Sequence, residues 1–220
     1  MATWLVTGAN RGIGLALCQR LSARGERVVA ACRRSSVALD ALDVRVEEGV
    51  DVTEMSSLEA LVERLDGLTL DVLVNNSGIL NFERLDALDF ESMQAQFDVN
   101  ALGPLRVTSA LLPCLKAGSK VGIVTSRMGS ISDNDSGGSY GYRMSKAAVN
   151  AAGKSLSIDL RPKEIALAIL HPGWVRTDMT RQNGLVDASE SAAGLIARLD
   201  ALTLETSGTF WHMNGERLPW

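Results

Sequence analysis

Strand-like and helix-like segments alternate from one end of this chain to the other, and that alternation restricts the fold more than any single motif does. The strand-like segments, residues 4–6, 28–31, 71–75, 121–124, 166–170 and 209–213, are short and nearly continuous apolar runs. Runs of that kind belong to strands buried on both faces. Residues 44–50 make a weaker strand, interrupted by Glu47 and Glu48. Helical patterns at 13–24, 55–65, 89–115, 142–159 and 188–202 separate them. The first places Leu15, Cys18 and Leu21 on one face, and Gly103-Pro104 predicts a kink in the third. Repeated strand–helix–strand units dictate an α/β fold: a doubly wound parallel sheet of about seven strands, helices on both faces, right-handed crossovers.

The length, 220 residues, suits one such domain, and no linker, repeat or low-complexity stretch divides it, so residues 1–220 are read as a single unit. With 46% hydrophobic and 22% charged residues and a net charge of −4 from interspersed signs, nucleic acid and anionic membrane are not expected partners. No apolar run approaches the roughly 20 residues of a membrane span. The first residues read as a strand with no basic leader or cleavage pattern, so the expected location is cytoplasmic. Cys18, Cys32 and Cys114 lack metal-ligand spacing, and His171 and His212 are too scattered to hold a metal, so no metal site is expected.

In an open parallel sheet, ligands bind beyond the carboxyl ends of the strands. The suggestive residues fall there: residues 8–14 after the first strand, Arg33 after the second, Asp51 after the third, then Asn75 to Gly78, Ser126 and residues 171–177. The first of these, Thr-Gly-Ala-Asn-Arg-Gly-Ile-Gly at 7–14, joins strand directly to helix. Gly8 makes the tight turn, Gly12 admits a phosphate close to the backbone, and Gly14 lets helix pack on sheet, with Asn10, Arg11 and Ile13 between them. The helix N-terminus then offers free N–H groups to a pyrophosphate. This is a Rossmann-like dinucleotide site. At the end of the second strand an NAD site places a carboxylate. Here the sequence is Ala-Cys-Arg-Arg, and with Arg11 it fits a 2′-phosphate instead, so NADP(H) is preferred over NAD(H).

The stretch 125–146 leaves a strand, crosses a Ser-, Gly-, Asp- and Asn-rich loop, and ends at Tyr142 and Lys146, four residues apart on one helical face. Ser126, at the strand end, can face them across the loop. With these residues in place, the chain resembles the short-chain dehydrogenase/reductase family over essentially its whole length. The matches are residues 7–14, Asp51, Asn75-Asn76-Ser77-Gly78, Asn100, Ser126, Tyr142 with Lys146, and Pro172-Gly173 followed by Thr177. Tyr-Gly-Tyr-Arg-x-Ser-Lys, residues 171–179 and the ending Gly-Glu-x-x-Pro-Trp look most like the C-factor/sniffer-type carbonyl reductases.

The resemblance implies that Asp51 and Val52 flank the adenine, that Asn75, Asn76 and Gly78 line the cofactor, and that Pro172, Gly173, Val175 and Thr177 hold the nicotinamide carboxamide. It implies a catalytic set of Asn100, Ser126, Tyr142 and Lys146: Tyr142 exchanges a proton with a small carbonyl or alcohol substrate, Ser126 hydrogen-bonds its oxygen, and Asn100 holds a relay water. Two departures stand out. Ser77 replaces the usual alanine, and the interval from Ser126 to Tyr142 is longer than the common one, which leaves Ser130, Ser132, Ser136 and Ser139 as competitors. Bringing a free phenol from about 10 to near 7 takes about 4 kcal/mol; one ammonium about 4 Å away at an effective dielectric near 20 supplies about that much, so Lys146, aided by the positive oxidised nicotinamide, suffices.

The small residues Ala147, Ala148, Ala151, Ala152 and Gly153 allow close helix approach: packing on their own sheet, or a homodimer or homotetramer face as the family implies. Residues 178–188 are short and polar enough to leave a shallow substrate pocket, with Leu80, Met128, Trp174 and Met179 as its apolar lining. The expected activity is NADP(H)-dependent reduction of a small ketone or aldehyde. Its rivals are a dinucleotide-binding sensor or signalling protein on the same fold and an NAD-dependent alcohol dehydrogenase.

Overall fold

A computed structural model describes residues 1–220. Seven strands form one parallel sheet in the order β3-β2-β1-β4-β5-β6-β7. They are β1 (Thr3–Thr7), β2 (Arg27–Ala31), β3 (Arg45–Glu47), β4 (Leu70–Asn75), β5 (Leu115–Val124), β6 (Ala166–His171) and β7 (Thr209–His212). The helices are α1 (Gly12–Ala23), a single turn α2 (Val37–Asp40), α3 (Met55–Leu65), α4 (Phe90–Phe97), α5 (Gly103–Ala110), α6 (Tyr140–Asp159) and α7 (Ala188–Asp200).

Alternation along each strand sends side chains into two separate cores. Leu5, Val29 and Leu73 pack with α3, α5 and α6 through Leu58, Leu61, Val107 and Val149. Trp4, Val6, Val28 and Val74 pack with α1 and α7 through Leu17, Leu21, Leu195 and Leu199. Both sheet faces are therefore covered, as continuous apolar strands require. The chain runs outward from β1 to β2 and β3, then returns to place β4 on the other side of β1. The crevice opens at that reversal.

Two segments depart from the sequence expectation. The long helix expected over 89–115 is three pieces: α4, a π-helical turn at Asp98–Leu102, and α5, which ends at Ala110. The irregularity lies in the π turn before Gly103-Pro104 rather than at the proline, which sits harmlessly in the first turn of α5. β5 begins at Leu115, six residues before its apolar run, because Leu115 pairs with Leu70 while Lys120 pairs with Val72. The extra residues bulge out; Gly118 takes φ +86° and Ser119 Oγ donates to the Leu70 carbonyl at 2.7 Å. The β3 strand is short, and its buried Glu47 is held by Arg45 and Arg64 at 2.7 and 2.6 Å. No helix is long and apolar enough to cross a membrane. On α6, Gly153 faces the sheet: a Cβ there would meet Ile169 at 2.9 Å.

Candidate active site

A cleft of about 690 Å³ runs along the carboxyl ends of β1 to β6. Its floor is the glycine loop. Gly8 and Gly12 take φ +65° and +54°, which L side chains adopt only with strain. A Cβ on Gly14 would lie 2.2 Å from the Gly8 carbonyl oxygen, so only glycine lets α1 start this close to the loop. Gly14 itself does not line the cleft; Gly8, Asn10, Arg11, Gly12 and Ile13 do. Thr7 ties this loop to the one after β4, its Oγ1 accepting from the N–H groups of Asn76 and Ser77 at 3.0 and 3.1 Å. Asn76 lines the cleft, but its amide donates to the Thr7 and Gly8 carbonyls.

One end of the cleft is cationic. Cys32, Arg33 and Arg34 line it together with Arg11 from the glycine loop. Ser36 locks that end by donating to the Asn10 carbonyl at 2.8 Å while capping α2. Asp51 and Val52 form the adjacent wall. Burial alone would raise the Asp51 carboxyl, but the Thr53 N–H and hydroxyl donate to it and Arg33 lies near, so it sits below its ordinary value.

At the other end, α6 begins at Tyr140, two residues before the expected start, and carries Tyr142 and Lys146 one turn apart. Both line the cleft and both are buried, at 8% and 4% exposure. Burial pushes the Tyr142 phenol up to about 12, with the neighbouring Ser126 hydroxyl acting in the opposite direction. Burial likewise pushes the Lys146 ammonium down to about 8. Its Nζ donates to the Val124 carbonyl at 3.1 Å and lies 5.7 Å from the centre of the Tyr142 ring. In this arrangement burial is the dominant influence on the phenol, and the tuning expected from the ammonium calls for the positive nicotinamide beside it as well.

Ser126 is the serine beside the phenol. Its Oγ also accepts from the Met128 N–H at 3.2 Å. Three competitors are engaged elsewhere, Ser130 with Asp133, Ser132 with the Trp220 carbonyl and Ser136 with Arg143, while Ser139 precedes α6 with its N–H donating to the Glu83 carbonyl. The loop between Ser126 and Tyr142 is held by those bonds and by Gly129, where a Cβ would come within 2.7 Å of the Lys146 backbone.

Several expected contacts are placed differently. Asn75 is 2% exposed and turns away from the cleft to donate to Thr108 Oγ1 at 3.1 Å. Asn100, in the π turn, is 1% exposed; its side chain clamps Ile79, accepting from its N–H and donating to its carbonyl, both at 2.9 Å, and also donates to Ser145 Oγ. Gly78 lies between this amide and Lys146 Nζ. After β6, Pro172 and Thr177 line the cleft, but Gly173 packs on Val186 and Val175 is buried in the fold. Of the four apolar lining residues expected, only Met179 reaches the cleft; Ile79 replaces its neighbour Leu80, and Trp174 is 54% exposed. Ile79, Val99 and Thr125 also line the cleft, beyond the residues the sequence marks for it, as do Arg34 and Ser77, which lie in marked stretches without a contact of their own assigned. For Arg34 and Ser77 the available signal is adjacency to the motif residues.

The arrangement fits a dinucleotide: a backbone cradle that side chains would fill, unpaired arginines at one end, and a buried phenol–ammonium pair at the other. No three His, Cys, Asp or Glu side chains cluster closely enough to hold a metal ion. Comparison with known proteins agrees. A family model described as short chain dehydrogenase matches residues 2–186. The 1-hydroxy-2-glutathionyl-2-methyl-3-butene dehydrogenase of Rhodococcus sp. (strain AD45) is 44% identical over 226 residues, covering 100% of both chains. The carbonyl reductase Sniffer of D. melanogaster superposes with TM-score 0.92 at 31% identity over 100% of both chains. The NADPH-bound carbonyl reductase from chicken fatty liver gives 0.90 at 31% identity over 100% of this chain and 99% of that one.

Proposed function

This chain belongs to the short-chain dehydrogenase family of oxidoreductases, and from that premise we propose that it is an NADP(H)-dependent reductase of small ketones or aldehydes in which Tyr142 gives the proton. The observation that carries the reading is the buried turn of α6, where Tyr142 and Lys146 line the end of the cleft that begins at the glycine loop, with the Ser126 hydroxyl beside the phenol. Bound nicotinamide supplies the hydride. Tyr142, held protonated by burial, donates to the substrate oxygen, and Ser126 hydrogen-bonds that same oxygen. Burial keeps the Tyr142 phenol protonated at neutral pH, the state from which a reduction begins. Lys146, which lines the cleft, would contact the cofactor and places its ammonium beside the phenol. Asn100 shapes the site by fixing Ile79 and Gly78 rather than by entering it.

Arg11, Arg33 and Arg34 line the cleft without an acidic partner on the second strand, which supports a 2′-phosphate and so NADP(H); the NADPH held by the chicken enzyme supports the same choice. An open rim, with Met179 41% exposed, supports small or protruding substrates. Three buried, unpaired cysteines suit a reducing cytoplasm. Assembly as a homodimer or homotetramer is part of the same reading.

Turnover of NADPH should be followed across aldehydes, ketones, diketones and quinones, with a glutathione-conjugated alcohol included in the reverse direction. Tyr142→Phe should lower turnover by about 10²- to 10⁴-fold, with NADPH affinity by calorimetry unchanged. Parent-level turnover in that variant would sink the mechanism.

A further inference from the structure

Glu83 follows Asn81-Phe82 in the loop after β4, where the sequence suggests an ordinary solvated charge, yet it is only 4% exposed. Its carboxylate bonds to amides rather than to a cation. Oε1 accepts from Gln96 Nε2, and Oε2 accepts from the Gly141 N–H at 3.1 Å. The Glu83 carbonyl also accepts from the Ser139 N–H at 2.9 Å. Gln96 is fully buried and uses its own oxygen to accept from the Asn81 N–H at 3.0 Å.

These bonds replace a missing cap. Ser139, at the N-cap of α6, sits at φ +48° and offers no side-chain hydrogen bond to the helix. The first turn of α6 would leave its N–H groups open, and a carboxylate from 58 residues away closes one of them, favourably placed against the helix dipole. Gly141 makes the approach feasible: a Cβ there would lie 2.7 Å from Gln96 Nε2 and 2.9 Å from Met93 Cα. Tyr142 is the next residue. α4, the loop after β4 and the first turn of α6 thus meet at one buried carboxylate immediately before the phenol.

We infer that Glu83 is a positioning residue for Tyr142, fixing the first turn of α6 so that the phenol points into the cleft. The inference rests on the reading of Tyr142 as proton donor. A charge swap tests it. Glu83→Gln places its amide N–H against that of Gln96, and turning either amide breaks the bond to Gly141 or to Asn81. Adding Gln96→Glu restores every bond. The new amide at position 83 accepts from the Gly141 N–H and donates to the new carboxylate at position 96, which in turn accepts from the Asn81 N–H.

Glu83→Gln should lower kcat by about tenfold or more while NADPH affinity is kept, and the swap should bring kcat back to within about threefold of the parent. In a Tyr142→Phe background, Glu83→Gln should cause no further loss of the residual rate, because the group it acts through is gone. A folded Glu83→Gln with parent kcat, or an equal loss with and without the Tyr142 hydroxyl, would overturn the inference. If Glu83→Gln alone does not fold, the swap decides: parent-like kcat supports the inference, and a folded swap with depressed kcat refutes it. Tyr142→Phe measured alone separates the two readings, since an active variant defeats the role of Tyr142 itself.

Discussion

His171, the last residue of β6, makes the fold sensitive to acid. Its ring packs edge-on against His212, centroids 4.9 Å apart and planes at 71°. Its Nδ1 is buried with no hydrogen-bond partner in the protein. Burial first, then the neighbouring His212 and Arg127, push the imidazole from 6.5 down to about 3, with Asp133 pulling the other way and Lys146 adding to the depression. Between those two pH values the unfolded chain binds a proton that the folded chain does not, so stability rises with pH through the window and is lost as pH falls through it. The whole interval corresponds to roughly 5 kcal/mol at 1.36 per pH unit, and by about pH 4.5 roughly 3 kcal/mol of that is gone.

Urea unfolding of the parent and of His171→Phe, each near pH 7.5 and pH 4.5, reads this directly. Phenylalanine keeps an aromatic edge for His212 and removes the titration. Other groups titrate in both chains and cancel in the difference. The parent should lose about 3 kcal/mol more than the variant over that interval. Equal losses would mean that His171 is protonated in the folded state and that its burial does not control it.

Replacing Arg11 and Arg33 together by alanine should weaken NADPH binding by about 10- to 100-fold and leave NADH nearly unchanged, measured by calorimetry; NADH binding the parent as tightly as NADPH would defeat the argument from these arginines. Lys146→Met should abolish turnover yet stabilise the fold. The Lys146 ammonium sits at about 8 in the folded protein against 10.5 ordinarily, a penalty present below pH 8 and relieved between there and 10.5, so the variant should gain roughly 3 kcal/mol at neutral pH, less about 1 for the unpaired Val124 carbonyl, with the gain fading in alkaline urea titrations.

The parts of the fold legible in the sequence are those decided by local pattern. The α3 helix spans Met55–Leu65 as its apolar spacing requires, and β1, β2, β4 and β6 fall within a residue of their apolar runs. The π turn around Asn100 and the early start of β5 escaped, because both depend on partners far along the chain: Ile79 and Ser145 for the amide of Asn100, Leu70 for Leu115. The site divides the same way. Tyr142, Lys146 and the glycine loop as far as Ile13 line the cleft, and Ser126 stands beside the phenol just past the end of β5. Asn75 and Asn100 have the right type and position, but their side chains hold the scaffold together. Glu83 was invisible, since nothing in Asn-Phe-Glu-Arg foretells that α4 and α6 will close over it.

The unfavourable groups gather in one part of the molecule, and that says what the burial is for. Asn75 Oδ1, Asn150 Nδ2 and His171 Nδ1, three of the five buried polar side-chain atoms without a partner, lie on β4, β6 and the helix that carries Tyr142. Lys146 and Tyr142, both with a charged form disfavoured by burial, lie among them. The two apolar cores on either face of the sheet supply the stability that tolerates this concentration. A phenol at the surface would sit near its ordinary 10 and a lysine near 10.5, and neither would be held in place. In the proposed role, the same burial that disfavours the Lys146 ammonium keeps the proton on Tyr142 until a substrate oxygen arrives to take it. Opening the cleft to water is therefore the change that would bring the phenol back toward 10.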